Sequence, residues 1–100
     1  MSKYHAVRTN GYASRKEANV AAQLQALHRA GNIVDLKEQV HIILIPGNGK
    51  LKGITYIADF TYEDPDGTPH VLDAKGYKTA IYRLKKRMAA LLLGIVIEEV

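Results

Sequence analysis

Between Gly53 and Glu63 the chain alternates with a period of two. Ile54, Tyr56, Ala58, Phe60 and Tyr62 fall on one side, and Thr55, Ile57, Asp59, Thr61 and Glu63 on the other, which is the signature of a β-strand. Asp64-Pro65-Asp66-Gly67 follows with the chemistry of a hairpin loop. The chain then returns as a short strand, Pro69 to Lys75, in which Asp73 and Lys75 share one face and Leu72 and Ala74 the other. Upstream, Gln39 to Ile45 reads as a buried strand stopped by Pro46-Gly47-Asn48-Gly49.

Two segments carry the longer helical period. Ser14-Arg15-Lys16-Glu17 has capping-box spacing, and the helix it opens runs to about Ala30, with Gly31-Asn32 as its stop. Val20, Ala21, Leu24 and Leu27 form its apolar arc, and Glu17 and His28 fall inside that arc. A second helix is expected from Ala80 to about Leu93, capped by Thr79 and ended by Gly94. Ile81, Leu84, Met88, Leu91 and Leu92 make its apolar face; Lys78, Tyr82, Lys85 and Lys86 line one flank, with Arg83 and Arg87 further round. Ile95 to Ile97 reads as a last strand, and residues 1–13 as an arm or lead-in without clear period. The order α-β-β-β-α-β predicts an α/β (α+β) domain over residues 1–100, with a mixed central sheet flanked by helices.

The hairpin poses a sharper question. A loop of three or five residues sets Asp59 directly opposite Asp73, whereas two or four residues shift the register by one and separate the acids. Like charges facing each other destabilise a strand pair, so the facing register calls for a compensating cation.

Composition narrows the chemistry. The chain has no cysteine, which excludes disulfides, Cys-based zinc sites and thiol nucleophiles. No apolar run approaches the ~20 residues of a bilayer span, and Met1-Ser2-Lys3 is not followed by a signal-peptide core, so an intracellular, cytoplasmic protein is expected. Net charge is +4, a modest excess compatible with a polyanionic partner. Its distribution says more. Lys78, Arg83, Lys85, Lys86 and Arg87 crowd one segment, and Asp59, Glu63, Asp64, Asp66 and Asp73 another. A basic stripe beside an acidic cluster suits an enzyme that holds a phosphate chain and cuts it with a metal ion.

Glu17 on a helix, Asp59 on a strand and Asp73-x-Lys75 on the next strand together resemble the PD-(D/E)XK, or restriction-endonuclease-like, nuclease superfamily. Ser14-Arg15-Lys16-Glu17-Ala18, Ile45-Pro46-Gly47, Ile54 to Phe60 and Asp73-Ala74-Lys75-Gly76 are similar to a family of small phage-encoded proteins within it. Ala58 stands where the superfamily often has proline, a position that binds no metal. The resemblance implies in-line phosphodiester hydrolysis by a DNA endonuclease in a phage-infected or prophage-carrying bacterial cell. Magnesium is the implied cofactor, with manganese as a substitute. Hard divalent ions take carboxylate and carbonyl oxygens, which Asp59, Asp73 and the Ala74 carbonyl could supply.

Lys75 could then orient or deprotonate water or steady the phosphate, and Glu17 could complete the metal shell or act only as the capping glutamate. Gln39 is a candidate polar helper near the site. Arg15, Lys16, Lys78, Tyr82, Arg83, Lys85 and Lys86 are the candidate DNA contacts, a solvated helix face being the alternative for the second-helix group. Small size and the resemblance suggest a homodimer acting on branched DNA, as a Holliday-junction resolvase does in recombination. The rivals are a nuclease for linear, nicked or single-stranded DNA, and a non-catalytic DNA-binding module.

Overall fold

The computed structural model describes residues 11–74 and 77–100. The described elements are α1 (Arg15–Arg29), β1 (Val34–Ile45), β2 (Ile54–Glu63), β3 (Pro69–Asp73), α2 (Ala80–Met88) with a π-helical turn Ala89–Leu93, and β4 (Ile97–Glu99). The order is the expected α-β-β-β-α-β. One mixed sheet runs β1-β2-β3-β4; β1, β2 and β3 pair antiparallel, and β4 lies parallel to β3 after the α2 crossover. Among the described residues no helix is long and apolar enough to cross a membrane.

The termini of the helices follow their sequence signals. Ser14 accepts from the Glu17 amide at 3.0 Å, and Thr79 accepts from the Tyr82 amide at 3.0 Å, each satisfying a first-turn donor that has no partner in the helix. At the far end of α1 the amide of Asn32 reaches back to the Leu27 carbonyl at 2.9 Å, across a left-handed Gly31. This is a Schellman closure.

The helices bury against different faces of the sheet. Ala21 and Leu24 of α1 pack with Ile33, Phe60, Leu72 and Ala74. Tyr82 and Ala89 pack with Leu44, Tyr56, Ala58 and Ile97, joined by Val71. Val71 and Leu72 are adjacent in one strand and so point oppositely, which places the two clusters on opposite faces.

This division corrects two expectations. Tyr56, Ala58, Phe60 and Tyr62 do not share a face: Tyr56 and Ala58 lie under α2, whereas Phe60 and Tyr62 lie under α1. The same reversal occurs in β1, where Leu36 packs toward α1 and Val40 toward α2. Between those two residues Gln39 adopts a φ of 53°, a left-handed conformation that breaks strand alternation. Glu38↔Phe60 and Val40↔Ala58 pair on either side of it, so the break in β1 lies across from Asp59.

The second correction concerns α2. It packs through Tyr82 and Ala89, while Ile81, Leu84, Leu91 and Leu92, expected to face the core, are exposed. The regular helix also stops at Met88 and not near Leu93, because the chain widens into the π-helical turn before Gly94. The last strand falls at Ile97–Glu99, two residues later than its apolar run suggested.

His70 ties the sheet edge to the hairpin. Its Nδ1 lies 2.7 Å from Glu98 Oε2 on β4 and its Nε2 2.8 Å from Asp64 Oδ2, with the ring stacked on Tyr62 at 4.7 Å. Two carboxylates on two ring nitrogens favour the imidazolium. The hydrogen bond to Asp64, then that to Glu98, raises the His70 pKa above its usual value. A folded-state pKa above the unfolded one stabilises the fold fully below about pH 6.5, and this contribution disappears as pH rises through the raised folded value. Melting temperature is therefore expected to fall by a few degrees as pH rises through that window. A His70→Gln variant, which has no such proton to lose, should show a flatter profile over the same range.

Candidate functional site

The loop between β2 and β3 decides which acids meet. Asp64 to Thr68 close it, with Asp64 N donating to Thr68 O and Gly67 N to Asp64 O, both at 2.8 Å. The ladder that follows pairs Glu63↔Pro69, Tyr62↔His70, Thr61↔Val71 and Phe60↔Leu72. The paired ladder ends there, in the register of a five-residue loop, and Asp59 and Asp73 are the next residue on each strand.

Both acids are buried, Asp59 at 9% exposure and Asp73 at 1%, and each carboxylate is held. Asp59 Oδ2 accepts from the Ala74 amide at 2.8 Å, binding the end of β3 to the middle of β2. Asp73 Oδ2 accepts from the Tyr56 hydroxyl at 2.5 Å, on the α2 side of the sheet. The charges of both acids act on the same two phenols. Burial, then the bond to Asp73 and the charges of Asp73 and Asp59 hold the Tyr56 pKa far above the usual phenol range. Burial, the bond to Glu99 and the same two charges raise that of Tyr82.

Glu17 reaches this place from α1. Its backbone completes the Ser14 cap, while its carboxylate turns to the sheet and accepts from Gln39 Nε2 at 3.1 Å. The cap and the contact with Gln39 thus use different atoms of one residue. Glu17 and Asp59 together line two clefts, one of about 290 Å³ that includes Ala74 and Thr79, and one of about 510 Å³ that includes Tyr12, Glu38 and Gln39. The reversal of β2 makes this possible, since Asp59 sits where cover passes from α2 to α1.

The family described as "Protein of unknown function (DUF1064)" matches residues 1–92. The chain belongs to the DUF1064 family. Comparison with curated proteins and with solved structures gives no match.

In this DUF1064 chain, then, Glu17, Asp59, Asp73 and Ala74 are drawn to the junction of α1, β2 and β3. Lys75 lies outside the described residues. Among those described, no group of three or more His, Cys, Asp or Glu side chains converges as a metal centre. The fuller expected set, Glu17 with Asp59 and Asp73, is therefore not gathered as a group of three acids; the smaller set of Asp59, Asp73 and the Ala74 carbonyl consists of hard oxygens, the donor type magnesium takes.

The expected DNA contacts divide. Arg15, Lys16 and Arg83 are exposed. Lys86 Nζ lies 3.1 Å and Lys78 Nζ 3.7 Å from the Glu99 carboxylate, and Lys85 Nζ donates to the Thr55 carbonyl at 2.8 Å. Tyr82 is a correction: it is buried at 4% exposure and donates to Glu99 Oε2 at 2.8 Å, because α2 turns this flank to the sheet.

Two residues around the acids were not legible as such. Glu99 lies just past the last apolar run, where nothing in the sequence marks it as a partner for Tyr82. Tyr56 was assigned to an apolar strand face, although a tyrosine on a buried face needs a partner for its hydroxyl, and that need was the available signal.

Proposed function

We propose that this protein is a magnesium-dependent DNA endonuclease of the PD-(D/E)XK type, with Asp59 and Asp73 at its centre. The observation that supports this reading is that the β2–β3 ladder ends one residue short of two buried acids, Asp59 and Asp73, while Glu17 and Asp59 line common clefts. Two acids so arranged have little use as packing and call for a cation.

Asp59, Asp73 and the Ala74 carbonyl would hold the ion. When bound, it lowers the pKa of water and offsets charge at the scissile phosphate. The protein's own part is to fix these oxygens: the Ala74 amide clamps Asp59, and Gln39 restrains Glu17. Lys75, next in the chain after Ala74, would orient water or phosphate. Arg15, Lys16 and Arg83, with Lys78, Lys85 and Lys86, would contact the DNA backbone, in the cytoplasm of a phage-infected or prophage-carrying cell.

We further propose a homodimer acting on branched DNA, supported by the exposed apolar face of α2. The test offers a synthetic four-way junction, a linear duplex and a single strand, with magnesium, manganese or chelator, and maps the cuts. Paired, metal-dependent cuts at the junction are expected. Equal cutting of all three would remove the junction preference, and binding without cutting in either metal would favour a non-catalytic module.

Glu99 supplies a separate prediction. Its carboxylate engages both Lys78 and Lys86, and hydrogen bonds from Tyr82 and Lys86 keep its pKa low, so it competes with phosphate for these lysines. Glu99→Gln keeps an acceptor for Tyr82 but releases the charge. DNA binding should tighten, and its logarithmic salt slope should steepen by roughly 1 to 2, as read from fluorescence anisotropy across a salt series.

A further inference from the structure

The Tyr56–Asp73 pair asks why a hydroxyl stands in the core, at 3% exposure. Tyr56 is buried among Leu44, Ala58 and Ile97, with the ring of Tyr82 tilted against it at 6.3 Å. Phenylalanine would fill that space without a polar atom to satisfy. The hydroxyl instead donates across 17 residues of sequence to one named oxygen, Asp73 Oδ2. A carboxylate accepts such a bond strongly, and once it is made the carboxyl plane no longer turns freely about its last bond.

We propose that Tyr56 is a positioning residue for Asp73, fixing the rotation of its carboxylate so that the acid is presented to a divalent cation in one orientation. This rests on the nuclease reading above and adds to it a residue on the far face of β2. Metal ligands are commonly oriented by a hydrogen bond from outside the coordination shell, and losing that partner costs 10–100-fold in affinity or activity. Here the partner is delivered by the reversal of β2: Tyr56 lies under α2, on the same side as Val71 and the bonded oxygen of Asp73, while Phe60 lies under α1.

The test measures manganese binding to the full chain by calorimetry, without DNA, for the wild type, Tyr56→Phe and Ile97→Val. The last trims the same core cluster without touching Asp73. Tyr56→Phe is expected to weaken manganese binding by roughly 10–100-fold and to raise the magnesium needed for half-maximal cutting. Ile97→Val should leave manganese affinity at the wild-type level. If Tyr56→Phe binds manganese like the wild type, or Ile97→Val weakens it equally, the positioning role is overturned while the nuclease reading stands. If the wild type neither binds manganese nor cuts DNA, both fall together. Should Tyr56→Phe fail to fold, the wild type still decides the matter. With tyrosines labelled at Cζ, magnesium should move the Tyr56 resonance with the half-saturation seen in cutting, and an unmoved resonance would overturn the proposal.

Discussion

Replacing Asp73 by alanine is expected to abolish metal-dependent cutting while leaving DNA binding in chelator nearly intact. A bound ion supplies several kcal/mol of charge stabilisation in a hydrolytic transition state. Each ~1.4 kcal/mol is tenfold in rate, so losing one of its two carboxylates should lower the rate by roughly three orders of magnitude. Alanine also strands the Tyr56 hydroxyl in the core, at a cost of about 1–3 kcal/mol in stability. Asp73→Asn is the better instrument, since its side-chain oxygen still accepts from Tyr56 and keeps the packing. Asp59→Asn should behave alike, its amide oxygen still accepting from Ala74 N. Single-turnover cleavage of a labelled junction reads the rate, and anisotropy in chelator reads the binding. A folded Asp73→Asn protein that cuts at the wild-type rate would remove the site assignment.

What the sequence made legible follows from how local each signal is. Ser14 and Thr79 marked helix starts because a cap is chosen by residues within one turn of it. The hairpin register, as far as Phe60↔Leu72, was available from the sequence because hairpin pairing depends on loop length, and Asp64 to Thr68 makes the odd-numbered loop that sets it. The reversal of sheet faces was not legible. In β1 it falls at Gln39, whose φ is left-handed, and glutamine carries no preference for that region such as glycine or asparagine has. An uninterrupted alternation in β2 therefore hid a change of cover from α2 to α1 at Asp59, and with it the bond from Tyr56 to Asp73. The same limit explains α2. Periodicity located an apolar stripe, but not which surface would cover it.

That stripe carries the second large prediction. Leu91 is 78% exposed and Ile81 62%, with Leu84 and Leu92 also open to solvent on the same side of α2 and its π-helical turn. A contiguous apolar face of this kind on a small domain marks an interaction surface, and the homodimer proposed for a two-cut reaction gives it an occupant of matching chemistry, the same face of a second copy. Light scattering should then report a dimer for the wild type and a monomer for Leu84→Glu/Leu91→Glu. Because both side chains lie outside the core, the thermal transition of the monomer should retain its cooperativity. Junction binding should weaken by roughly 10²–10⁴-fold, the gain that linking two modest sites provides, while binding to a short linear duplex that fits one subunit changes far less. Manganese binding per chain should be unaltered, since Asp59 and Asp73 lie within one subunit, and this separates loss of pairing from damage to the site. A wild type that is monomeric at assay concentrations, or a doubly charged variant that remains a dimer, would exclude this face as the contact.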